Sequence, residues 1–419
     1  MNTSILYLLS GSLSLLGNAV LAVALPLIVL QRTGSAASAG TVALAVAVPT
    51  VLASIIGGVI VDRVDRRLAS IISDVISAGA VALLPIVDLL TGLNLGWFIA
   101  LGIVGALGDA PGLAAREALL PAIARTSGQS VERLIGLRES VSALVIVVGP
   151  GLAGVLFATL EGTTVLWLTA ATSLAAALLT AALPRTVAAR DAAPERSASG
   201  RVLLREAATG LRFLLRDRTL RSTTVLSLFI VAVLGALQGI LLPVVFLSRD
   251  QPAQLGTVLS AIAIGLLIGA VSFAVLRERL PVRVWFTGAI IVVGGALVAI
   301  SLLPAYGWIL AGAVVLGLAA GPVTTVLGAA EVRATPEAMR GRIVSTQTAL
   351  SMAVAPAMIF AIAQTITHTS VAFAGYVLIG LTAAGVAWAL IVPAFRSLPE
   401  PESTTARPGD ARSPTSLTT

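Results

Sequence analysis

Residues 5–30 read ILYLLSGSLSLLGNAVLAVALPLIVL, running from Ile5 to Leu30 without one charged side chain. A helix rises 1.5 Å per residue, so about 20 apolar residues cross the hydrocarbon of a bilayer. The run is continuous where a membrane β-strand would alternate apolar and polar residues, and it therefore reads as a helix. It lacks a basic leader and is too long for a cleaved signal, so it reads as a span.

The same pattern recurs at Ala39–Val61, Leu68–Leu90, Leu95–Leu113, Gly136–Leu160, Val165–Leu183, Thr223–Leu247, Leu255–Leu276, Val284–Leu303, Trp308–Ala330, Ile343–Ile366 and Val371–Ala394. The chain is 57% hydrophobic and 11% charged, with a mean hydropathy of +1.00. A water-soluble protein of 419 residues could not cover that much apolar surface. The expected fold class is an all-α polytopic membrane protein with twelve spans.

Charge sets the expected orientation. Every basic residue is arginine, 27 in all, and with the N-terminus inside all but Arg32 and Arg249 fall on the inner side. That asymmetry obeys the positive-inside rule and predicts a multi-pass plasma or inner-membrane protein with both termini cytoplasmic. It also accounts for the net charge of +7 without nucleic acid as a partner. There is no cysteine, and His368 is the lone histidine and reads as a loop residue, so no metal or other cofactor is expected.

The predicted organisation is a six-helix bundle over 1–183, a cytoplasmic linker over 184–222, a second six-helix bundle over 223–395 and a disordered tail over 396–419. In the linker, Leu204, Ala207, Ala208, Leu211, Leu214 and Leu215 share one helical stripe flanked by arginines. That pattern suits a helix lying on the inner leaflet or one packed under the bundle. The two bundles repeat one another. Gly40-Thr41-Val42 precedes Asp62-Arg63 at the spacing at which Gly256-Thr257-Val258 precedes Glu278-Arg279. Pro26 and Pro243 match, as do Ser142…Pro150 and Thr348…Pro356. Two parallel six-helix repeats are the build of a transporter that binds its solute between halves.

The segment Gly58-Val59-Ile60-Val61-Asp62-Arg63-Val64-Asp65-Arg66-Arg67 resembles the G-x-x-x-D-R-x-G-R-R signature of the major facilitator superfamily, departing from it at Asp65. Thr33-Gly34-Ser35-Ala36, Gly210-Leu211-Arg212-Phe213-Leu214 and Met339-Arg340-Gly341-Arg342 are similar to its macrolide-efflux and siderophore-exporter-like branch. The resemblance covers about Ile5 to Arg396. It implies a gating latch at Gly58, Asp62, Arg63, Arg66 and Arg67, with Asp62 facing the N-terminus of span eleven and Glu117 as partner of Arg66. The alternative is a charge cluster that only sets topology. Gly136, Gly149, Pro150 and Gly154 are similar to the superfamily's antiporter motif, with Val145 and Ala153 where glycine is usual. That similarity points toward export; the alternative is a merely kinked packing helix.

Ionisable residues inside spans are costly and commonly functional. Asp109 shares a face of span four with Gly102, Gly105, Gly112 and Arg116. In the resembled family that span lines the path, which makes Asp109 the candidate for binding a proton or a cationic group. A structural pair with Arg116 or another basic residue is the alternative. Asp74 reads as a structural pair and Asp88 as an interfacial residue. Asn18 lies on one face of span one with Ser10 and Ser14, where many members of the branch carry an acid; amide chemistry leaves it hydrogen bonding but not titration. Gln238, Thr324, Thr325 and Gln347 are further polar candidates.

The expectation is therefore a monomeric secondary transporter, in contact with membrane lipids, that exports small amphipathic organic compounds by proton antiport. The alternatives are an importer or lipid transporter of the same fold, or a non-transporting membrane sensor or assembly protein. No nucleophile–base arrangement suggests an enzyme.

Overall fold

The computed structural model describes residues 3–184, 209–303 and 305–395, and within them the side chains of residues 55–63, 338 and 394 lie outside the description. Among the described residues, twelve helices are long and apolar enough to cross a membrane. They are α1 (Thr3–Thr33), α2 (Ala36–Arg63), α3 (Arg66–Thr91), α4 (Leu95–Ser127), α5 (Val131–Thr159), α6 (Gly162–Ala181), α7 (Arg218–Ser248), α8 (Pro252–Leu276), α9 (Val282–Ser301), α10 (Tyr306–Ala334), α11 (Arg340–His368) and α12 (Val371–Ile391). Each predicted span falls on one of them. His368, expected in a loop, is the last residue of α11.

Several helices outrun their predicted spans because polar caps, rather than hydropathy, set where they start and stop. Ser130 starts α5 by accepting from the Arg133 amide at 3.2 Å. Gly128, left-handed at φ 68°, ends α4 well beyond Leu113. Asp65 accepts from the amides of Arg67 and Leu68 at 2.8 and 3.1 Å and so caps α3. Its departure from glycine in the loop signature is thereby explained, since both residue types serve at an N-cap.

The pairing of helices repeats. In the first half α1 packs on α5 and α6, α2 on α4, and α3 on α4 and α6. In the second, α7 packs on α11 and α12, α8 on α10, and α9 on α10 and α12. The halves meet along α2–α11 and α5–α8. This is the expected architecture of two parallel pseudo-repeats. Small residues let the backbones approach: a Cβ built on Gly265 of α8 would lie 3.0 Å from the Gly317 Cα of α10.

α7 contains one turn of π-helix, Leu237–Leu241, just ahead of Pro243. A π-turn accommodates one extra residue inside an α-helix. Of the predicted linker stripe, Leu204, Ala207 and Ala208 lie outside the described residues. Residues 209–216 are helical, with Leu214 buried. A Cβ on Gly210 would sit 2.8 Å from the Arg342 carbonyl oxygen, so this segment packs against the start of α11.

Candidate functional site

With an even number of spans, the first and last helices share a face, called here the terminal face. The other, carrying the α1–α2, α5–α6 and α7–α8 turns, is the opposite face.

The opposite face is shut by two matching contacts. A Cβ on Gly256 of α8 would lie 2.7 Å from the Pro150 carbonyl oxygen and 2.8 Å from the Gly154 Cα of α5. On the other side of the molecule, a Cβ on Gly40 of α2 would lie 3.0 Å from the Phe360 Cα of α11, with Ala363 as its nearest neighbour. Gly40 and Gly256 are the glycines that mark the sequence repeat. The spacing that matches Pro150 with Pro356 also matches Gly154 with Phe360. One contact is thus made twice, once by each pair of helices.

Hydrogen bonds reinforce both. The Ala37 amide donates to Thr367 Oγ1 at 3.0 Å, and Ser260 Oγ donates to the Val147 carbonyl at 2.8 Å. Pro150 lacks an N–H and disturbs the carbonyls one turn before it. Ser260 supplies a donor from the other half to one of them.

In the antiporter-like motif, Gly149 packs on Ala19 of α1, and Pro150 and Gly154 form the seam with α8. Gly136 does not join this packing, for a Cβ there would meet nothing within 4 Å.

On the terminal side Leu137 and Leu144 of α5 and Val344 of α11 are exposed. Two cavities reach this side. The larger, about 520 Å³, runs beside α4 from Phe98 to Glu117 and is walled by α1, α2 and α3, with Thr348 and Met352 of α11 across from them. Its lining is mainly apolar, broken by Thr50, Ser54, Ser77, Asp109 and Glu117. The smaller, about 250 Å³, lies among α1, α4 and α5 and is lined by Tyr7, Asn18, Arg116, Arg138 and Glu139 among others.

Asp109 lines the larger cavity, with the side chains of Ser77 and Asn18 as hydrogen-bonding neighbours. It does not hold Arg116 in an ion pair, because Asp74 does. The Arg116 guanidinium donates to Asp74 Oδ1 at 2.6 Å and to Ser14 Oγ at 2.9 Å. Ser14 in turn donates to Asp74 at 3.1 Å. Asp74 is buried, and this triad joins α1, α3 and α4. The structural reading of Asp74 holds, and the ion pair of Arg116 is made with Asp74 rather than with Asp109. Asp88 pairs with Arg32 at the opposite face, as an interfacial residue should.

The latch is reached only in part. The side chains of Gly58, Asp62 and Arg63 lie outside the described residues. Arg66 donates to the Ala118 carbonyl at 3.1 Å and Arg67 to that of Ala181, tying α3 to α4 and α6 within the first half. Glu117 is not the partner of Arg66. It faces Arg138 of α5 at 3.5 Å, and Arg138 also binds Glu139 at 2.7 Å. Arg66, at the start of α3, uses its guanidinium on a backbone carbonyl of α4, and the exposed Glu117 side chain turns to α5 instead.

The remaining candidates scatter. Thr324 and Thr325 both donate back to the Gly321 carbonyl, at 2.9 and 2.8 Å, and line neither cavity. Gln238 lies half-buried in the π-turn of α7. Gln347 of α11 donates to Thr224 of α7 at 2.6 Å. Next to it stands a residue that sequence reasoning missed, Glu331. Ser227 of α7 donates to its Oε1 at 3.3 Å, and Gln347 and Thr223 are also hydrogen-bonding neighbours. Hydropathy ended span ten at Ala330, one residue short of it. Among the described residues no group of three or more His, Asp or Glu gathers that could hold a metal ion.

Comparison with known proteins agrees with this geometry. The family model of the Major Facilitator Superfamily matches residues 7–348. The multidrug efflux pump Tap of Mycobacterium tuberculosis is 33% identical over 343 residues, 81% of each chain. Its namesake in Mycolicibacterium fortuitum is equally identical over 81% of this chain and 83% of its own. Among solved structures, a point mutant of the nucleoside transporter NupG superposes with a TM-score of 0.77 at 12% identity, covering 93% of this chain and 99% of its own. A bacterial homologue of the iron transporter ferroportin, in an inward-facing state, gives 0.69 at 18% identity, covering 93% and 98%. At those identities the structural likeness speaks to fold alone.

Proposed function

We propose that this chain, which belongs to the Major Facilitator Superfamily, is a multidrug exporter working by proton antiport and alternating access. The carrying observation is that glycine contacts bind the halves together at one face while a largely apolar cavity containing Asp109 runs beside α4 toward the other. An amphipathic solute suits such a lining, with a few polar groups to orient it. The 33% identity to Tap, a multidrug efflux pump, supports drugs as the cargo class.

In this reading the terminal face is cytoplasmic, following the arginine asymmetry, and the conformation described is inward-facing. Solute enters from the cytoplasm or inner leaflet and settles beside α4. The halves then rock, parting the glycine contacts on the opposite face and closing the arginine-rich one around the signature loop. Asp109 takes up a proton in one state and gives it up in the other, biasing the equilibrium between them. Asn18 and Ser77 orient its carboxyl, and the Asp74–Arg116–Ser14 triad beside it fixes the helices that carry it. The chain acts as a single unit of two bundles, with lipid around it.

Everted vesicles provide the test, with ethidium as the probe. A proton gradient should drive ethidium accumulation, and Asp109→Asn should abolish that drive while leaving downhill exchange. Accumulation indifferent to collapse of the gradient would sink the antiport reading. Gradient-driven accumulation retained by Asp109→Asn would discard Asp109 as the carrier.

A further inference from the structure

Glu331 stands in the last turn of α10, facing α7 and α11. Its repeat counterpart is informative. Ala329-Ala330-Glu331 runs to Pro336 at the spacing at which Ala114-Ala115-Arg116 runs to Pro121. The matching position therefore carries opposite charges in the two halves. In the first half Arg116 is neutralised by Asp74. At the spacing that matches Asp62-Arg63 with Glu278-Arg279, Asp74 falls on Ile290, which is buried and apolar. The second half carries an ionisable group at this level, and among the described residues no ion partner equivalent to Asp74 stands beside it.

The groups that surround the Glu331 carboxyl are neutral: Ser227 and Thr223 from α7, and Gln347 from α11. Charged residues on the packed elements are Arg218 and Arg221 on α7, Arg333 on α10 itself, Arg340 and Arg342 on α11, and Arg277, Glu278, Arg279 and Arg283 at the α8–α9 turn. None of them is among the groups that bear on this carboxyl. Hydroxyls and an amide can each either donate or accept, so the same shell fits a carboxylate and a carboxylic acid.

We propose that Glu331 is a second proton-binding site, belonging to the second half, which exchanges a proton with water at the terminal face. Protonation turns an acceptor-only group into one that also donates. It thereby rewrites the hydrogen bonds holding α10 to α7 and α11 inside the second half, and α11 is the helix that carries this half's contact with α2. The proposal deepens the antiport reading, although proton binding at Glu331 does not itself require that reading to be right.

Infrared difference spectroscopy of the full chain in lipid nanodiscs, stepped in pH, tests it without any ligand. The expected result is a carboxylic-acid carbonyl band that is absent from Glu331→Gln, shifted in Glu331→Asp and in Ser227→Ala, and retained in Asp109→Asn. A spectrum in which Glu331→Gln removes no titrating band overturns the proposal. So does a band unmoved by Ser227→Ala and Glu331→Asp, which keep a carboxyl here should the glutamine variant fold poorly. A carboxylate that stays ionised throughout, as a binding site for a substrate cation would, gives no such band and overturns it too. Failure of antiport shows up separately, as ethidium movement by the unsubstituted chain that ignores the proton gradient.

Discussion

Replacing Gly256 with alanine should drive the transporter away from the state described here. The added methyl would sit 2.7 Å from the Pro150 carbonyl oxygen and 2.8 Å from the Gly154 Cα. Both are backbone atoms of α5, so no side-chain rotation relieves the clash. Overpacking of this kind costs about 1–3 kcal/mol. The cost falls on the state whose opposite face is shut, since opening that face parts α5 from α8. A bias of about 1–3 kcal/mol multiplies the open-to-shut ratio by about 5–150. The chain has no cysteine, so a single engineered thiol is unique. Ala363→Cys suits the purpose, because Ala363 is fully buried in the α2–α11 contact, on the far side of the molecule from Gly256. Labelling by a membrane-impermeant maleimide from the opposite face should rise by that factor when Gly256→Ala is added. The reasoning requires the two contacts to open as one rigid movement. Unchanged labelling in a folded, equally thermostable variant would mean that α5 and α8 absorb the methyl locally, and the coupled opening would be refuted.

Further expectations concern the polar contacts. Asp74→Ala leaves Arg116 charged and largely buried, which should cost about 3–5 kcal/mol in thermal or denaturant stability; the Asp74→Ala/Arg116→Ala double variant should regain much of it, and a loss near zero in the single variant would contradict the triad. Ser260→Ala removes an interhelical hydrogen bond present only while the opposite face is shut, worth about 0.6 kcal/mol. It should raise labelling of the Ala363→Cys reporter roughly threefold, and less labelling than before would count against the assignment. Asp65→Ala removes the cap of α3 and should cost about 1 kcal/mol, whereas Asp65→Gly should cost only a few tenths; equal losses in unfolding experiments would show that the cap is not what this side chain contributes.

The spans were readable because hydropathy needs only composition along the chain, and Gly40 and Gly256 were visible as a repeat. What the repeat was for was not visible: the contact of Gly256 with Gly154 joins residues remote in sequence, and nothing local marks it. Asp74 was legible as a structural acid, since a peripheral helix with a buried charge demands a partner, and Arg116 was available. The choice of Arg66 as partner for Glu117 failed because two charges at the same end of the bundle need not point at each other, and the Ala118 carbonyl beside Glu117 is an equally good acceptor. Glu331 was missed for a simple physical reason. A hydropathy window ends a span at the first charge, whereas the helix runs on to Ala334 and buries that charge against α7 and α11. The latch around Asp62 stays a proposal drawn from resemblance.

The π-turn at Leu237–Leu241 has a consequence for how the two halves are read against each other. One surplus residue turns everything after it by about 100° relative to an uninterrupted helix. Counting from the start of α7 and counting back from Pro243 therefore assign different counterparts in α1 to the same residue. Gln238 sits inside that slip. An alignment of α1 with α7 needs a one-residue gap there, and a residue transplanted between the helices by number alone would point at the wrong neighbour.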